Sequence, residues 1–230
     1  MTLFATLFPL LCWFAYNYGV PLVERRRPSL SVIMSMQRRR WVRNATERES
    51  PLDAILSANL MSSVSFLAST SVLLVLAIFA AIGQVGAVME ALKGVGMGID
   101  YTPADLQIHF VVMLAIFVQS FFAFTLALRQ FNHFCIMIGA MDHSGRVSDA
   151  EIEAIAQLNT LAAKNFNNGI RAYYFSVATV AWFASPVLAI IASLVTVGFL
   201  IHREFFSSAH RIAASATLMA SKRELGTGAQ

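Results

Sequence analysis

The stretch that decides the fold is Ala54–Gly83, which reads AILSANLMSSVSFLASTSVLLVLAIFAAIG and contains no charged residue. A run of about 20 apolar residues is enough to cross the hydrocarbon core of a bilayer. Three further apolar stretches lie at about 3–23, 106–128 and 172–201. The sequence therefore predicts an all-α fold, a polytopic membrane helical bundle with about four transmembrane helices.

The composition supports the same class. Hydrophobic residues make up 57% of the 230 residues and charged residues 13%, whereas about a quarter of an average soluble domain is charged. The length suits a single helical membrane domain over residues 1–230.

The basic residues predict an orientation in the membrane. Eight of the 14 arginines fall within Arg25–Arg48, directly after the first span. Four regular spans with an outer N-terminus place 12 Lys and Arg residues inside and 5 outside. The positive-inside rule thus favours both termini outside a bacterial inner membrane. A re-entrant fourth span is the alternative, and it would bring the basic C-terminal tail inside.

Two connecting segments have amphipathic helical patterns, 29–46 and 148–165. The first carries clustered arginines and a tryptophan, which suits a helix lying among anionic lipid headgroups. In the second, Ser148 and Glu151 form a capping box. The residues expected to contact headgroups are Arg38, Arg39, Arg40, Trp41 and Arg43.

The apolar helices are also longer than a bilayer requires. Ala54–Gly83 would extend about 45 Å at 1.5 Å per residue, against a hydrocarbon core of about 30 Å. We expect helix extensions that pack on one another beyond the inner leaflet. Pro186 should kink the last helix, because proline removes a backbone hydrogen bond.

A polar cluster marks the point where the third span leaves its apolar core. Arg129 and His133 are four residues apart and share a helix face with Asn132 nearby. The cluster could bind an anion or headgroup, or Arg129 could simply extend to the interface. If the arginine is partly buried, Asp53 at the start of the second span is its expected partner.

The second span is rich in small polar residues, from Ser57 and Asn59 to Ser71. Such residues let membrane helices approach closely and hydrogen-bond across the contact. They could also line a water-filled path. Helix packing is the favoured interpretation. Carboxylates typical of proton-coupled transporters are missing from the middle of every span, although a passive pore would not need them.

No catalytic, metal or cofactor motif is recognisable in the sequence. The five histidines lack HxxxH and HExxH spacing. Cys12 and Cys135 have no CxxC partner and suit packed thiols. No reader motif accompanies the basic charge, so nucleic acid is not an expected partner. We expect a protein that is not an enzyme and that uses no cofactor.

Three phrases resemble a known family. They are Asp53–Ser71 (DAILSANLMSSVSFLASTS), Arg129–Gly139 (RQFNHFCIMIG) and Arg171–Pro186 (RAYYFSVATVAWFASP). Each is similar to a segment of the domain of unknown function 599 family. The resemblance implies a multi-span, mostly helical membrane protein of bacteria with no assigned activity, and it transfers no catalytic residue. It draws attention to Asn59, Arg129, Asn132, Tyr174, Trp182 and Pro186.

The leading hypothesis is a structural or accessory membrane component that acts through helix–helix association. Membrane lipids with anionic headgroups, and a second copy or another membrane protein, would be its partners. The alternative is a passive channel or transporter for ions or small solutes, lined by the polar face of the second span.

Overall fold

The computed structural model describes residues 1–47, 51–97, 100–142 and 146–227. Within these ranges every regular element is helical, which confirms the all-α prediction. The α-helices are α1 (Thr2–Glu24), α2 (Leu30–Thr46), α3 (Leu52–Gly83), α4 (Val85–Gly94), α5 (Pro103–Gly139), α6 (Asp149–Val180), α7 (Pro186–Phe205) and α8 (Ser208–Thr227).

Local sequence signals begin the two amphipathic helices. The Ser29 hydroxyl accepts a hydrogen bond from the Val32 amide and caps α2. Ser148 lies one residue before α6 begins, and its hydroxyl accepts a hydrogen bond from the Glu151 amide. Both serines satisfy amide groups that the first turn of a helix leaves without partners.

Four helical segments are long and apolar enough to cross a membrane: Thr2–Glu24, Leu52–Gly83, Pro103–Gly139 and Pro186–Arg223. The first three contain the predicted spans. The 37 residues of α5 extend for about 55 Å, well beyond the thickness of a hydrocarbon core.

The predicted fourth span, 172–201, is divided between two helices. The first, α6, ends at Val180, and a 3-10 turn follows at Ala181–Phe183. The Ser185 hydroxyl then accepts from the Leu188 amide, and Pro186 is the first residue of α7. The predicted kink at Pro186 was therefore wrong. Proline is favoured at the first helical position because its missing amide hydrogen has no partner there anyway.

Two further boundaries differ from the prediction. The segment 148–165 is the first half of α6, which continues without interruption to Val180. The connection between the second and third spans contains α4, a short helix for which the sequence analysis gave no prediction.

The chain divides into two compact units. The first comprises Met1–Gly19, Ser63–Leu126 and Asn165–Gly198. It contains five of the 30 charged residues. Its core is apolar and includes Ala5, Val85, Leu106, Phe110, Met113, Phe117, Trp182 and Ala189.

The second unit comprises Val20–Ser62, Ala127–Lys164 and Phe199–Gln230, and it contains the other 25 charged residues. Its core is formed by α2, the end of α5 and the start of α6. The core residues are Val42, Ala45, Phe134, Ile138, Met141, Ile152, Ile155 and Ala156. This packing accounts for the helix extensions that the sequence predicted.

Candidate functional site

The basic helix α2 is anchored in the second unit by its apolar side. Val42 and Ala45 are buried in the core. The Trp41 ring packs edge-on against Phe134, with 5.3 Å between the ring centres. Its indole nitrogen donates to the Asp53 carboxylate. Trp41, which was expected to contact lipid headgroups, thus uses its only donor inside the protein.

Two of the clustered arginines form ion pairs with the first turns of α6. Arg39 Nε lies 3.0 Å from Glu153 Oε2, and Arg43 Nη2 lies 2.7 Å from Asp149 Oδ1. Burial lowers the pKa of the Arg38 guanidinium from its usual value. The arginines expected at a lipid surface therefore also bind α2 to its neighbours.

An open cleft of about 350 Å³ lies between α2 and α8. Gln37 Nε2 donates to the Thr217 hydroxyl at 2.6 Å, and Arg40 Nη1 lies 3.4 Å from the Thr217 carbonyl. Arginines, hydroxyls and apolar side chains share the lining, which consists of Met36, Arg39, Arg40, Arg43, Thr217, Leu218 and Ser221.

The C-terminal part of the chain packs beside this basic helix. The buried Glu204 carboxylate, at the end of α7, accepts from the amide and the hydroxyl of Ser31 in the first turn of α2. A carboxylate is favoured there by the positive end of the helix dipole. These bonds hold the end of α7 against the first turn of the arginine-rich helix within the second unit.

The polar cluster at the end of the third apolar core faces outward. The side chains of Arg129, Asn132 and His133 are exposed. Asp53 is buried and accepts from Trp41. Over the described residues no ion pair joins Arg129 to Asp53, so that expected pair is not present. The spacing correctly placed the three side chains on one helix surface but could not tell which way that surface points.

A group of stacked aromatic rings surrounds the turn between α6 and α7 in the first unit. The Trp182 ring stacks between Tyr101, at 4.2 Å, and His109, at 4.1 Å. The Tyr101 hydroxyl donates to the Trp182 carbonyl at 2.6 Å. His109 Nε2 lies 3.0 Å from the Thr179 carbonyl. Burial, together with Asp105 and Asp100, raises the pKa of the Tyr101 hydroxyl, which favours this donor form.

The direct contacts between these rings stabilise the turn. Of the residues that the resemblance singled out, Trp182 and Pro186 lie here, and Tyr174 is half-buried on α6. Tyr101 and His109 were missed, since one aromatic residue in a connection and one histidine in an apolar helix give no spacing signal.

The hydroxyl residues of α3 fall on different sides of the helix. Ser57 and Ser71 are buried, and the Ser71 hydroxyl lies 2.8 Å from that of Tyr173. Asn59, Ser65 and Ser69 are exposed. Most of the polar residues that the sequence assigned to packing or to a conduit are therefore directed away from the rest of the chain.

A second arginine site joins α1 to α6 within the first unit. Arg171 Nη1 donates to Asn17 Oδ1 at 3.1 Å. The guanidinium carbon lies 5.0 Å from the centre of the Tyr16 ring. The sequence offered only a weak signal here, a lone asparagine and a lone arginine in otherwise apolar surroundings.

The described ranges contain no group of three His, Cys, Asp or Glu side chains that could hold a metal ion. A family described as "Protein of unknown function, DUF599" matches residues 4–209 of the 230. This match confirms the resemblance carried by the three sequence phrases. No curated protein and no solved structure matches the chain.

Proposed function

We propose that this protein, which belongs to the DUF599 family of unknown function, is a non-enzymatic component of a bacterial inner membrane that self-associates through α3. The observation that carries the proposal is a regular row of exposed residues along this helix, called here the α3 seam. Its residues alternate at intervals of four and three, and they are Ala58, Ser62, Ser65, Ser69, Val72 and Leu76.

This spacing is the one by which two helices pack along a shared seam. Small residues at the seam let the backbones approach closely, and serine hydroxyls can hydrogen-bond across it. Of the four apolar segments, the one in α3 is the least buried by the rest of the chain. Only 11% of its most apolar 18-residue stretch is buried. A second copy of α3 would fill the shallow groove that the serines leave.

Leucine in place of Ser65 or Ser69 should separate the copies, because its bulk holds the helix backbones apart. We expect Ser65→Leu and Ser69→Leu to shift the protein to a monomer, as measured by its mass in mild detergent. Ser63→Leu makes the same change at an exposed position away from the α3 seam and should keep the oligomer. A wild-type protein that is monomeric in both detergent and lipid would refute the proposal.

We further propose that the N-terminus lies outside and the second unit inside. The second unit contains 15 of the 17 Lys and Arg residues, while the first contains only Lys93 and Arg171. Because the C-terminal tail is bonded to α2, the tail contributes to the inner charge. The positive-inside rule favours this arrangement more strongly than one with both termini outside.

The orientation can be tested with single cysteines in a background where Cys12 and Cys135 are replaced by alanine. A membrane-impermeant thiol reagent should label Val95→Cys in intact cells. It should label Arg39→Cys and Ser221→Cys only after the cells are opened. If the reagent labels Ser221→Cys but not Arg39→Cys in intact cells, the proposal that the C-terminal tail and α2 lie on the same side of the membrane is contradicted.

A passive conduit is the second candidate function, favoured by the row of hydroxyls in the α3 seam. Such a path would run between copies, because these serines are exposed on a single chain. Ion flux into liposomes that is present with wild-type protein and lost with Ser65→Leu would select the conduit. A sealed oligomer without flux would select the structural role.

A further inference from the structure

Arg171 is the only arginine of the first unit, where 117 residues hold just five charges. No carboxylate in the described part of the chain forms an ion pair with it. Its contacts are neutral, the Asn17 carbonyl oxygen and the face of the Tyr16 ring. A cation in apolar surroundings is costly unless an opposite charge compensates it.

Two further hydrogen-bond donors lie on the same side of α1. The Asn17 amide nitrogen and the Trp13 indole nitrogen are both buried, and neither has an acceptor. Trp13 and Asn17 are four residues apart and so lie one above the other on the helix. An unsatisfied buried donor costs about 1–3 kcal/mol. The site therefore combines an uncompensated cation with two donors that lack acceptors, and an anion would complete it.

The position of the site along the helices indicates where this anion comes from. Asn17 lies seven residues before the end of α1, about 10 Å along the helix axis. Arg171 directly precedes the apolar stretch that begins at residue 172. Tryptophan and tyrosine beside them, Trp13 and Tyr16, are typical of the level at which the hydrocarbon core meets the headgroups. Lipid phosphates are the anions present at that level.

We propose that Arg171, Asn17 and Trp13 bind the phosphodiester of an anionic phospholipid. A guanidinium matches two phosphate oxygens with two parallel hydrogen bonds. The Asn17 carbonyl oxygen orients the guanidinium for this contact. Arg171, which is partly exposed, binds the phosphate first, and small rotations of the covered amide and indole bring both nitrogens to the remaining oxygens. Tyr16 closes the opposite face of the guanidinium.

The test measures lipid binding to the full-length protein after lipid removal in neutral detergent. Native mass spectrometry would follow titrations with phosphatidylglycerol and phosphatidylcholine, with inorganic phosphate as a competitor. We expect the wild type to retain one tightly bound phosphatidylglycerol. Arg171→Gln should bind this lipid about tenfold more weakly, because it lacks one charge-assisted contact. Lys164→Gln is the matched control, because it removes an exposed positive charge from the same helix.

Equal binding by the wild type and Arg171→Gln would overturn the proposal. An equal loss in Lys164→Gln would do the same, because it would indicate diffuse attraction by positive charge. Displacement of the lipid by equimolar inorganic phosphate would assign the site to a free anion instead. If Arg171→Gln fails to fold, Trp13→Phe keeps the ring, removes the indole donor and should weaken binding about threefold; unchanged binding in that variant would also refute the site.

Discussion

Replacing Trp182 with alanine should lower the free energy of unfolding by about 3–5 kcal/mol, the usual cost of removing a buried tryptophan. The ring is fully buried and is held between Tyr101 and His109. Its loss would leave a cavity beneath the turn that joins α6 to α7. The two rings that it separates could not both close the gap, because each is also fixed by a hydrogen bond.

The measurement is thermal unfolding in mild detergent, where we expect the midpoint to fall by about 10 °C. Trp182→Phe is the informative control. The Trp182 indole nitrogen is buried without an acceptor, so phenylalanine removes an unsatisfied donor while it retains most of the stacking. This variant should stay within about 1.5 kcal/mol of the wild type. If Trp182→Phe lowers the free energy of unfolding as much as Trp182→Ala does, the stability would come from a hydrogen bond of the indole nitrogen and not from ring stacking.

The features that the sequence predicted well depend on local physics. The apolar run at Ala54–Gly83 specifies a helix by its length and its lack of charge, whatever its neighbours. Ser29 and Ser148 mark helix starts, because a serine hydroxyl caps the amides of its own first turn. Ile152 and Ile155, which lie three residues apart in the second amphipathic segment, are both buried, as an amphipathic pattern requires.

The features that the sequence did not predict depend on contacts between distant segments. Serine at 185 and proline at 186 suit either a kinked helix or a new helix start. In the structure a new helix starts there, and Trp182 stacks on Tyr101 and His109 in the turn before it. Likewise, charge counting gave opposite sides for the tail and the arginine-rich segment. The bond from Ser31 to Glu204, 173 residues apart, instead brings the end of α7 beside α2, and the topology that we propose is based on this contact.

The exposed Arg129 shows the same limit on a smaller scale. Its spacing from His133 places both residues on one helix face. The partner of Asp53, however, depends on which helix packs against the start of α3, and local spacing does not determine that. The indole of Trp41 reaches that carboxylate from α2, although the sequence had assigned the tryptophan to lipid. Residue type and periodicity alone do not distinguish a surface that faces solvent or lipid from one that faces another helix.

Gly169→Ala should also destabilise the protein, by about 1–3 kcal/mol, because a side chain at this position would collide with Phe124. A Cβ atom there would lie 2.5 Å from Phe124 Cε1 and 2.7 Å from Cζ. Phe124 is fully buried, and its ring contacts those of Phe166 and Tyr173. These contacts restrict movement of the ring away from a new methyl group.

The direction of this effect opposes helix propensity, which makes the result diagnostic. Alanine in a helix is favoured over glycine by about 0.5–1 kcal/mol, so Gly198→Ala, in open space on α7, should be neutral or slightly stabilising. Phe124→Leu should cost less in the Gly169→Ala background than in the wild type, because the smaller side chain relieves the collision. Thermal unfolding of the four variants in detergent would measure this coupling. Strict additivity of Gly169→Ala and Phe124→Leu would mean that α5 and α6 do not approach each other at Gly169, since only direct contact makes one substitution depend on the other.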